Sequence, residues 1–245
     1  MKDQLSKRIN SLPVSATLAM AAKARELKAA GKDIISLSLG EPDFNTPDFI
    51  KEAAIQAIHD NYSSYSPVDG YVDLKDAIIT KFKRDNNIDY NQNQIVVSTG
   101  AKQSIANVAT VLLNPGDEVL LPAPYWVSYS AIASLGEATY KEIPSTIETD
   151  FKITPKQLEA AITPKTKMIF FNSPNNPSGS IYSEAEYRAL AKVIEKHPNI
   201  YVLSDEIYEH ISYGEPAFSF AAIESMYDRT ITINGVAKAF AMTGW

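Results

Sequence analysis

Cysteine is absent from the 245-residue chain, and histidine is scarce, at three residues. Without cysteine the chain cannot form disulfides, thiolate zinc sites or cysteine nucleophiles. The histidines, His59, His197 and His210, are scattered without metal-ligand spacing. A strong charge of one sign is also lacking, since 23 basic and 29 acidic residues give a net charge of −6 without a strong basic run. Binding to nucleic-acid phosphates is therefore not expected.

Long hydrophobic runs are missing as well. No segment approaches the ~18 apolar residues of a membrane-spanning helix. The N-terminal stretch MKDQLSKRINSLPVSATLAM carries charge but no apolar core of signal-peptide length. We therefore expect a soluble cytoplasmic protein with no membrane partner, either an enzyme or a small-molecule binder. Hydrophobic residues make up 45% of the chain, which is ample for a large buried core.

Helical patterns dominate the first part of the chain. A helix is predicted over residues 16–31, and the apolar run DIISLSLG predicts a short strand over 33–40. Another helix is predicted to begin with Pro47 at its first position. Over residues 71–86 apolar side chains recur every four positions, as they do in amphipathic helices.

From Gln94 onward, strand-like runs alternate with helical patterns. The strand-like runs are QIVVS, EVLLP, ATYKEI, KMIFFN, IYVLS and RTITIN, and EIYEHI is one of the helical patterns. Runs such as VLLP and MIFF are apolar throughout, which favours strands buried on both faces of a mostly parallel sheet. The sequence thus predicts an α/β fold, a three-layer sandwich in which helices cover both faces of the sheet.

Ligand sites of open α/β sheets lie beyond the carboxyl ends of the strands. After QIVVS, Thr99, Gly100 and Ala101 open a helix whose free N–H groups suit a phosphate. Taken alone, an ordinary strand-to-helix turn is the better explanation. After EVLLP, Trp126 offers an aromatic face to a planar ring, with a core or interface tryptophan as the alternative. The glycine-rich patterns of dinucleotide and nucleoside-triphosphate sites are absent.

Two further strand ends carry polar groups. After KMIFF, the loop NSPNNPSG presents Asn172, Asn175 and Asn176, although this composition is also typical of an ordinary turn. Asp205 directly follows the buried run IYVLS, where an unpaired carboxylate is costly, so it requires a cationic or N–H partner. Helix capping is the alternative for Asp205. Tyr208 lies one helical turn further on, on the same side if a helix has begun.

After RTITIN, Lys238 has apolar neighbours in GVAKAF. Desolvation lowers the pKa of a lysine and frees its amine as a nucleophile toward carbonyls. The alternative is a surface lysine whose head reaches water. Each strand-end feature has an ordinary explanation alone, but together they form a set. An anion site, a ring-stacking face, a carboxylate and a nucleophilic lysine are what pyridoxal phosphate requires.

The ordered motifs resemble a known family. They are SLSLGEPDFNTP, YSPVDG, STGAKQS, LPAPYWVSY, NSPNNPSG, SDEIYEH and NGVAKAFAMTGW. Their order and spacing are similar to those of class I aminotransferases of the type I pyridoxal-phosphate fold, in particular the bacterial branch of aspartate aminotransferases. The resemblance runs over the whole chain. It implies an N-terminal arm and small-domain segment over residues 1–45, and a cofactor-binding large domain over 46–245.

The resemblance assigns roles to the strand-end residues. Lys238 is expected to form the internal aldimine with pyridoxal 5'-phosphate and to shuttle the proton of the substrate α-carbon. Asp205 would pair with the pyridinium nitrogen, and Trp126 would stack on the ring. Asn176 and Tyr208 would form hydrogen bonds with the phenolic oxygen.

Further positions follow from the same resemblance. Gly100, Ala101 and Lys102 correspond to the turn that holds the phosphate through backbone N–H groups. Tyr65 in YSPVDG matches a tyrosine that reaches the phosphate of the neighbouring subunit, which implies a homodimer with shared active sites. The substrate would meet four positions, namely Gly40, Trp126, Asn176 and Ser15.

The implied reaction transfers the amino group of aspartate or a similar amino acid to 2-oxoglutarate. Gly235 and Ala237 stand where many relatives have serines. Relatives also continue after Trp245 with an arginine that grips the phosphate, and a later arginine holds the substrate α-carboxylate. This chain is therefore expected to cover only the first part of such a protein. Two alternatives stay open: a non-catalytic fragment that dimerises or binds the cofactor, and a pyridoxal-phosphate-dependent lyase on the same scaffold.

Overall fold

The computed structural model describes residues 4–12, 16–35, 40–214 and 216–245. The helices are α1 (Lys7–Ser11), α2 (Ala16–Ala29), α3 (Asp48–His59), α4 (Val72–Asn86), α5 (Ala101–Leu112), α6 (Ser128–Leu135), α7 (Pro155–Ala161), α8 (Glu184–Ile194) and α9 (Val236–Ala239). The strands are β1 (Glu118–Ala123), β2 (Thr139–Pro144), β3 (Thr166–Asn172), β4 (Tyr201–Asp205) and β5 (Thr230–Ile233).

These strands form one sheet in the order β2-β1-β3-β4-β5, and every neighbouring pair is parallel. The mostly parallel sheet predicted from the sequence is confirmed. Because the strands are parallel, their carboxyl ends share one edge of the sheet. The strand order reverses between β1 and β3, so a crevice opens there between the loops that follow these two strands.

Helices cover both faces of the sheet, which confirms the three-layer sandwich. On the face covered by α7 and α8, called here the α7–α8 face, the core includes Phe171 and Val202. On the opposite α5–α6 face, it includes Phe170 and Leu203. Successive residues of a strand point to opposite faces, so the neighbours Phe170 and Phe171 are both buried but in different layers.

The segment QIVVS does not form the predicted strand. Gln94 ends a 3-10 turn, and residues 95–98 have no regular secondary structure and join no ladder with the described strands. Instead, the Val97 N–H donates to the Asp69 carbonyl at 3.1 Å, and Val96 is largely exposed. A strand is defined by its pairing partner, which a local apolar run cannot reveal.

The helix predicted from EIYEHI is also absent. Residues 207–210 form turns, in which the Glu209 N–H donates to the Glu206 carbonyl at 2.9 Å. The Ile211 N–H donates to the Tyr208 carbonyl at 2.8 Å. The backbone bonds of a segment this short contribute little, so contacts with the rest of the fold decide whether it becomes helical.

The remaining predicted elements agree with the structure with small shifts at their ends. The helix expected to start at Pro47 begins at Asp48, with Pro47 as its N-cap residue. Half of the strand predicted over 33–40, residues 36–39, lies outside the described residues. The domain boundary at residue 45 stays a prediction. Within the described ranges, no helix is long and apolar enough to cross a membrane, and no group of acidic or histidine side chains could hold a metal ion.

Candidate active site

Asp205, at the carboxyl end of β4, is the most deeply buried of the predicted site residues. Its side chain accepts hydrogen bonds from the Tyr129 hydroxyl at 2.6 Å and from the Ile207 N–H at 3.2 Å. Burial raises the pKa of Asp205 to about 6, against the opposing effect of these two hydrogen bonds. The predicted N–H partner is present, and no described lysine or arginine forms an ion pair with this carboxylate. Asp205 therefore offers a buried negative charge to a cation.

A chain of amides joins Asp205 to Tyr208. The side-chain amide of Asn172 donates to the backbone carbonyl of Asp205 at 2.8 Å. The side-chain oxygen of Asn172 accepts from the backbone N–H of Asn176 at 2.7 Å. The Asn176 amide in turn donates to the Tyr208 hydroxyl at 3.3 Å. Burial raises the pKa of Tyr208, and the bond from Asn176 opposes the rise. The loops after β3 and β4 thus hold an amide and a phenol side by side.

Lys238 lies on the short helix α9, directly after β5. Its Nζ donates to the Gly40 carbonyl at 2.8 Å and lies 6.0 Å from the centre of the Tyr208 ring. Burial lowers the pKa of the half-buried Lys238, and the carboxylate of Glu41 opposes the shift. The expectation of a desolvated lysine is consistent with this position, and more of its amine is neutral near pH 8 than for a solvated lysine.

Trp126, in the loop after β1, lies beside the same residues. The Tyr129 ring meets the Trp126 ring edge to face, with centroids 5.4 Å apart. Because the Tyr129 hydroxyl binds Asp205, this contact connects Trp126 to the buried carboxylate. The ammonium group of Lys102 lies 4.8 Å from the centre of the Trp126 ring. The half-buried tryptophan therefore packs against Tyr129 and also has a cation near its ring.

The turn that opens α5 requires its glycine. Gly100 is the N-cap residue and has φ +85°, a conformation that other residues adopt only with strain. The N–H groups of Ala101 and Lys102, in the first turn of α5, have no acceptor among the described residues. Two free N–H groups at the positive end of a helix suit an anion.

Two of the predicted site residues, Tyr65 and Ser15, are not seen at this edge of the sheet. Tyr65 lies fully exposed in the turn between α3 and α4, without a contact to the residues above. Ser15 lies outside the described residues. Gly40, in contrast, reaches the site through its carbonyl bond with Lys238.

The sequence alone did not single out Tyr129. Its hydroxyl is the closest partner of Asp205, 76 residues away along the chain. The spacing of Trp126 and Tyr129 by three positions at the start of α6 places their rings together, and this spacing is the signal that could have identified it.

The chain matches a family model over most of its length. Residues 32–245 match the model described as Aminotransferase class I and II. The probable aspartate/prephenate aminotransferase of Rhizobium leguminosarum bv. phaseoli is 50% identical over 245 residues, covering 98% of this chain and 61% of that protein. The aspartate/prephenate aminotransferase of Cereibacter sphaeroides is 50% identical over 243 residues, with the same two coverages.

Solved structures give the same result. The aspartate aminotransferase from Rhizobium meliloti superposes with a TM-score of 0.95 at 45% identity, covering 99% of this chain and 61% of that one. The aspartate aminotransferase from Thermus thermophilus with maleate gives a TM-score of 0.95 at 41% identity, covering 98% and 62%. The chain spans about 61% of the length of the curated relatives that it matches. With these identities and the family model, the chain belongs to the class I and II aminotransferase family.

Proposed function

We propose that the complete protein is a pyridoxal-phosphate-dependent aminotransferase in which Lys238 binds the cofactor. One observation carries the proposal. A continuous chain of contacts runs along one edge of the sheet from Lys238 through Tyr208, the amides and Asp205 to Tyr129 and Trp126. The free N–H groups of Ala101 and Lys102 lie at the start of α5, directly after the turn at Gly100.

The residues at this edge fit the cofactor group by group. The buried carboxylate of Asp205 suits a protonated pyridine nitrogen, because a cation removes the cost of its burial. The Asn176 amide and the Tyr208 hydroxyl suit a phenolic oxygen, and the Trp126 face suits the ring. Gly100, Ala101 and Lys102 begin a helix whose N–H groups suit the phosphate.

Each of these side chains has a separate role in the proposed reaction. When bound, the cofactor supplies an electron sink for the substrate α-carbon. Asp205 keeps a proton on the ring nitrogen, while Trp126 orients the ring. Lys238, whose pKa is lowered by burial, would take the proton from the substrate α-carbon and hold it on Nζ until it is delivered to the cofactor. Tyr208 and Asn176 hold the phenolic oxygen and so fix the ring relative to Lys238.

The substrates that we propose are aspartate or a similar amino acid as donor and 2-oxoglutarate as acceptor. The names of the relatives, aspartate/prephenate aminotransferases, support aspartate as the donor. We further propose a homodimer in which Tyr65 contacts the phosphate of the neighbouring subunit, since Tyr65 is fully exposed on its own subunit. Gly40 and Ser15 are proposed to line the substrate side.

The test compares Lys238→Ala with Lys141→Ala in the complete protein. Lys141 is a matched control, because it is also half-buried and donates to a backbone carbonyl, that of Ala161, at 2.8 Å. We expect the visible absorption band of the bound cofactor in the wild type and in Lys141→Ala, and its loss in Lys238→Ala. Transamination should fall by about 10²- to 10⁴-fold or more in Lys238→Ala only.

Two outcomes would contradict the proposal. A visible band that survives in Lys238→Ala would exclude this lysine as the cofactor ligand. Release of a product other than the matched oxo acid and amino acid would indicate the lyase alternative.

A further inference from the structure

Glu209 is a buried carboxylate that the proposed reaction does not use. It lies in the turn after β4, one residue beyond Tyr208, and is 9% exposed. Its Oε2 accepts from the Lys81 ammonium group and from the Asn234 amide, the latter at 2.6 Å. Its Oε1 accepts from the Asn86 amide at 2.6 Å. Glu209 therefore joins helix α4 to the loops that follow β4 and β5.

The two asparagines are held so that only an acceptor fits between them. The Asn86 oxygen accepts from Lys81 Nζ at 2.8 Å, and the Asn234 oxygen accepts from the Gly235 N–H at 2.7 Å. Each amide therefore has its NH₂ group directed at Glu209. Three donors from three residues meet one side chain, and only a carboxylate offers two acceptor oxygens with a charge to balance Lys81.

The loops that Glu209 joins are those that carry the reacting groups. Asn234 precedes Lys238 by four residues, and Glu209 follows Asp205 by four residues. The same loops also meet through the Glu206 N–H, which donates to the Ile233 carbonyl at 2.8 Å. That backbone bond holds the loops at the strand ends, whereas Glu209, the residue after Tyr208, joins them again through Asn234, beyond the end of β5.

We propose that Glu209 is a positioning residue, which fixes the loop of Lys238 against the turn of Asp205 and Tyr208 by binding Asn234 and Lys81. This role rests on the proposed function of Lys238. The Lys238 amine and the Tyr208 ring belong to different loops, so their separation depends on this connection. A misplacement on the order of 1 Å between reacting groups lowers a rate by about 10²-fold.

The main test compares Glu209→Gln with Glu186→Gln in the complete, cofactor-loaded protein. Glu186 on α8 is a control with the same number of donors and a more exposed side chain, because its carboxylate also meets three donors, namely Lys152 Nζ and the N–H and hydroxyl of Ser183. We expect both variants to lose thermal stability. Only Glu209→Gln should lower kcat, by about 10-fold or more with little change in KM, because the groups are bound but misaligned.

Two readouts other than activity address the position of the lysine directly. The circular dichroism of the cofactor's visible band should change in Glu209→Gln and stay as in the wild type in Glu186→Gln. In the cofactor-free protein, the rate at which acetic anhydride acetylates Lys238, measured by peptide mass spectrometry, should change in the same variant only. A purely structural loss of stability would move neither readout at temperatures where the protein is folded.

A second pair decides the question if Glu209→Gln fails to fold. Asn234→Ala and Asn86→Ala each remove one hydrogen bond of 2.6 Å from a side-chain amide to Glu209. Only Asn234 belongs to the loop that leads to Lys238. The role predicts a lowered kcat and an altered dichroism in Asn234→Ala, with smaller changes in Asn86→Ala. Equal effects in the two variants, or unchanged readouts in a folded Glu209→Gln, would overturn the role of Glu209. A wild type without a visible band would instead overturn the proposed function itself.

Discussion

The two faces of the sheet are built from the same strands but hold different kinds of residue. On the α7–α8 face, Phe171, Tyr182, Tyr187 and Phe220 form an aromatic cluster with ring centroids 4.9 to 5.8 Å apart. On the α5–α6 face, the rings of Trp126 and Tyr129 lead instead to a buried carboxylate. The aromatic cluster stabilises the fold by burying apolar surface. The rings of Trp126 and Tyr129 instead lie beside a carboxylate whose burial costs free energy.

Two successive carboxylates show the same contrast at close range. Asp205 faces Tyr129, whereas the next residue, Glu206, turns to the other side of the sheet. A single oxygen of Glu206 accepts from the Ser204 hydroxyl at 2.8 Å, the Ser219 hydroxyl at 2.9 Å and the Phe220 N–H at 3.4 Å. Burial raises the pKa of Glu206 to about 7, against these hydrogen bonds. Glu206 is thus enclosed by the fold, while Asp205 lies at the proposed cofactor site.

The largest expected effect comes from truncating the two buried rings of β3. Phe171→Ala should lower the free energy of unfolding by about 3–5 kcal/mol, because it leaves a cavity among the aromatic rings of the α7–α8 face. Its kcat should stay close to that of the wild type at temperatures where the variant is folded.

Phe170→Ala is the matched change on the opposite face. It should cost a similar free energy of unfolding, but the Phe170 ring also packs at 5.6 Å against Tyr129, the partner of Asp205. We therefore expect kcat to fall by about tenfold in Phe170→Ala only. Denaturant titrations and steady-state kinetics on both variants measure the difference. Equal kcat values would show that packing on the α5–α6 face matters no more for catalysis than packing on the α7–α8 face.

A second pair exchanges the two carboxylates for amides, as Asp205→Asn and Glu206→Gln. We expect Asp205→Asn to lower kcat by about 10²- to 10³-fold, because the ring nitrogen loses its charged partner. Glu206→Gln keeps an oxygen for its three donors and should leave kcat unchanged. Steady-state kinetics on the complete protein separate the two outcomes, and a comparable loss in both variants would contradict the distinction.

The same pair has a pH signature in the cofactor-free protein. The pKa of Asp205 rises from 3.8 to about 6 on folding, so above pH 6 its burial costs about 3 kcal/mol. Between these pH values the native state keeps a proton that the unfolded chain has lost, so the free energy of unfolding falls as the pH rises. Asp205→Asn should therefore be more stable than the wild type at pH 8, and this gain should vanish as the pH falls toward 4. Denaturation midpoints across this range measure it.

Local signals predicted most of the fold and indicated many residues of the candidate site. β1, β3 and β4 each contain a short apolar run, and Lys238 stands among apolar neighbours, so each could be predicted without knowing its contacts. The loop composition likewise indicated Asn176, and the position after β4 indicated Asp205.

What could not be predicted depends on partners that are distant in the chain. Whether residues 95–98 form a strand depends on a neighbour that the sequence does not specify, and the turn at 207–210 is shaped by the side-chain bonds of Glu206 and Glu209. Tyr129 looks like any tyrosine of an apolar helix until β4 places Asp205 opposite its hydroxyl. The candidate site depends on contacts between residues that are distant in the chain, whereas the sequence indicated only single residues.

The smallest expected effect comes from removing one hydroxyl from each face, as Tyr129→Phe and Tyr187→Phe. The Tyr129 hydroxyl lowers the pKa of Asp205, so its loss should raise that pKa further above 6, by about one unit for a hydrogen bond to a charged group. The acid limb of the pH profile of kcat/KM should move upward accordingly. The buried Tyr187 hydroxyl makes no hydrogen bond with the described residues, although Ser173 lies near enough to influence its pKa, so Tyr187→Phe should leave the profile in place. If both variants shift the acid limb equally, the effect arises from general loosening of the core rather than from the bond between Tyr129 and Asp205.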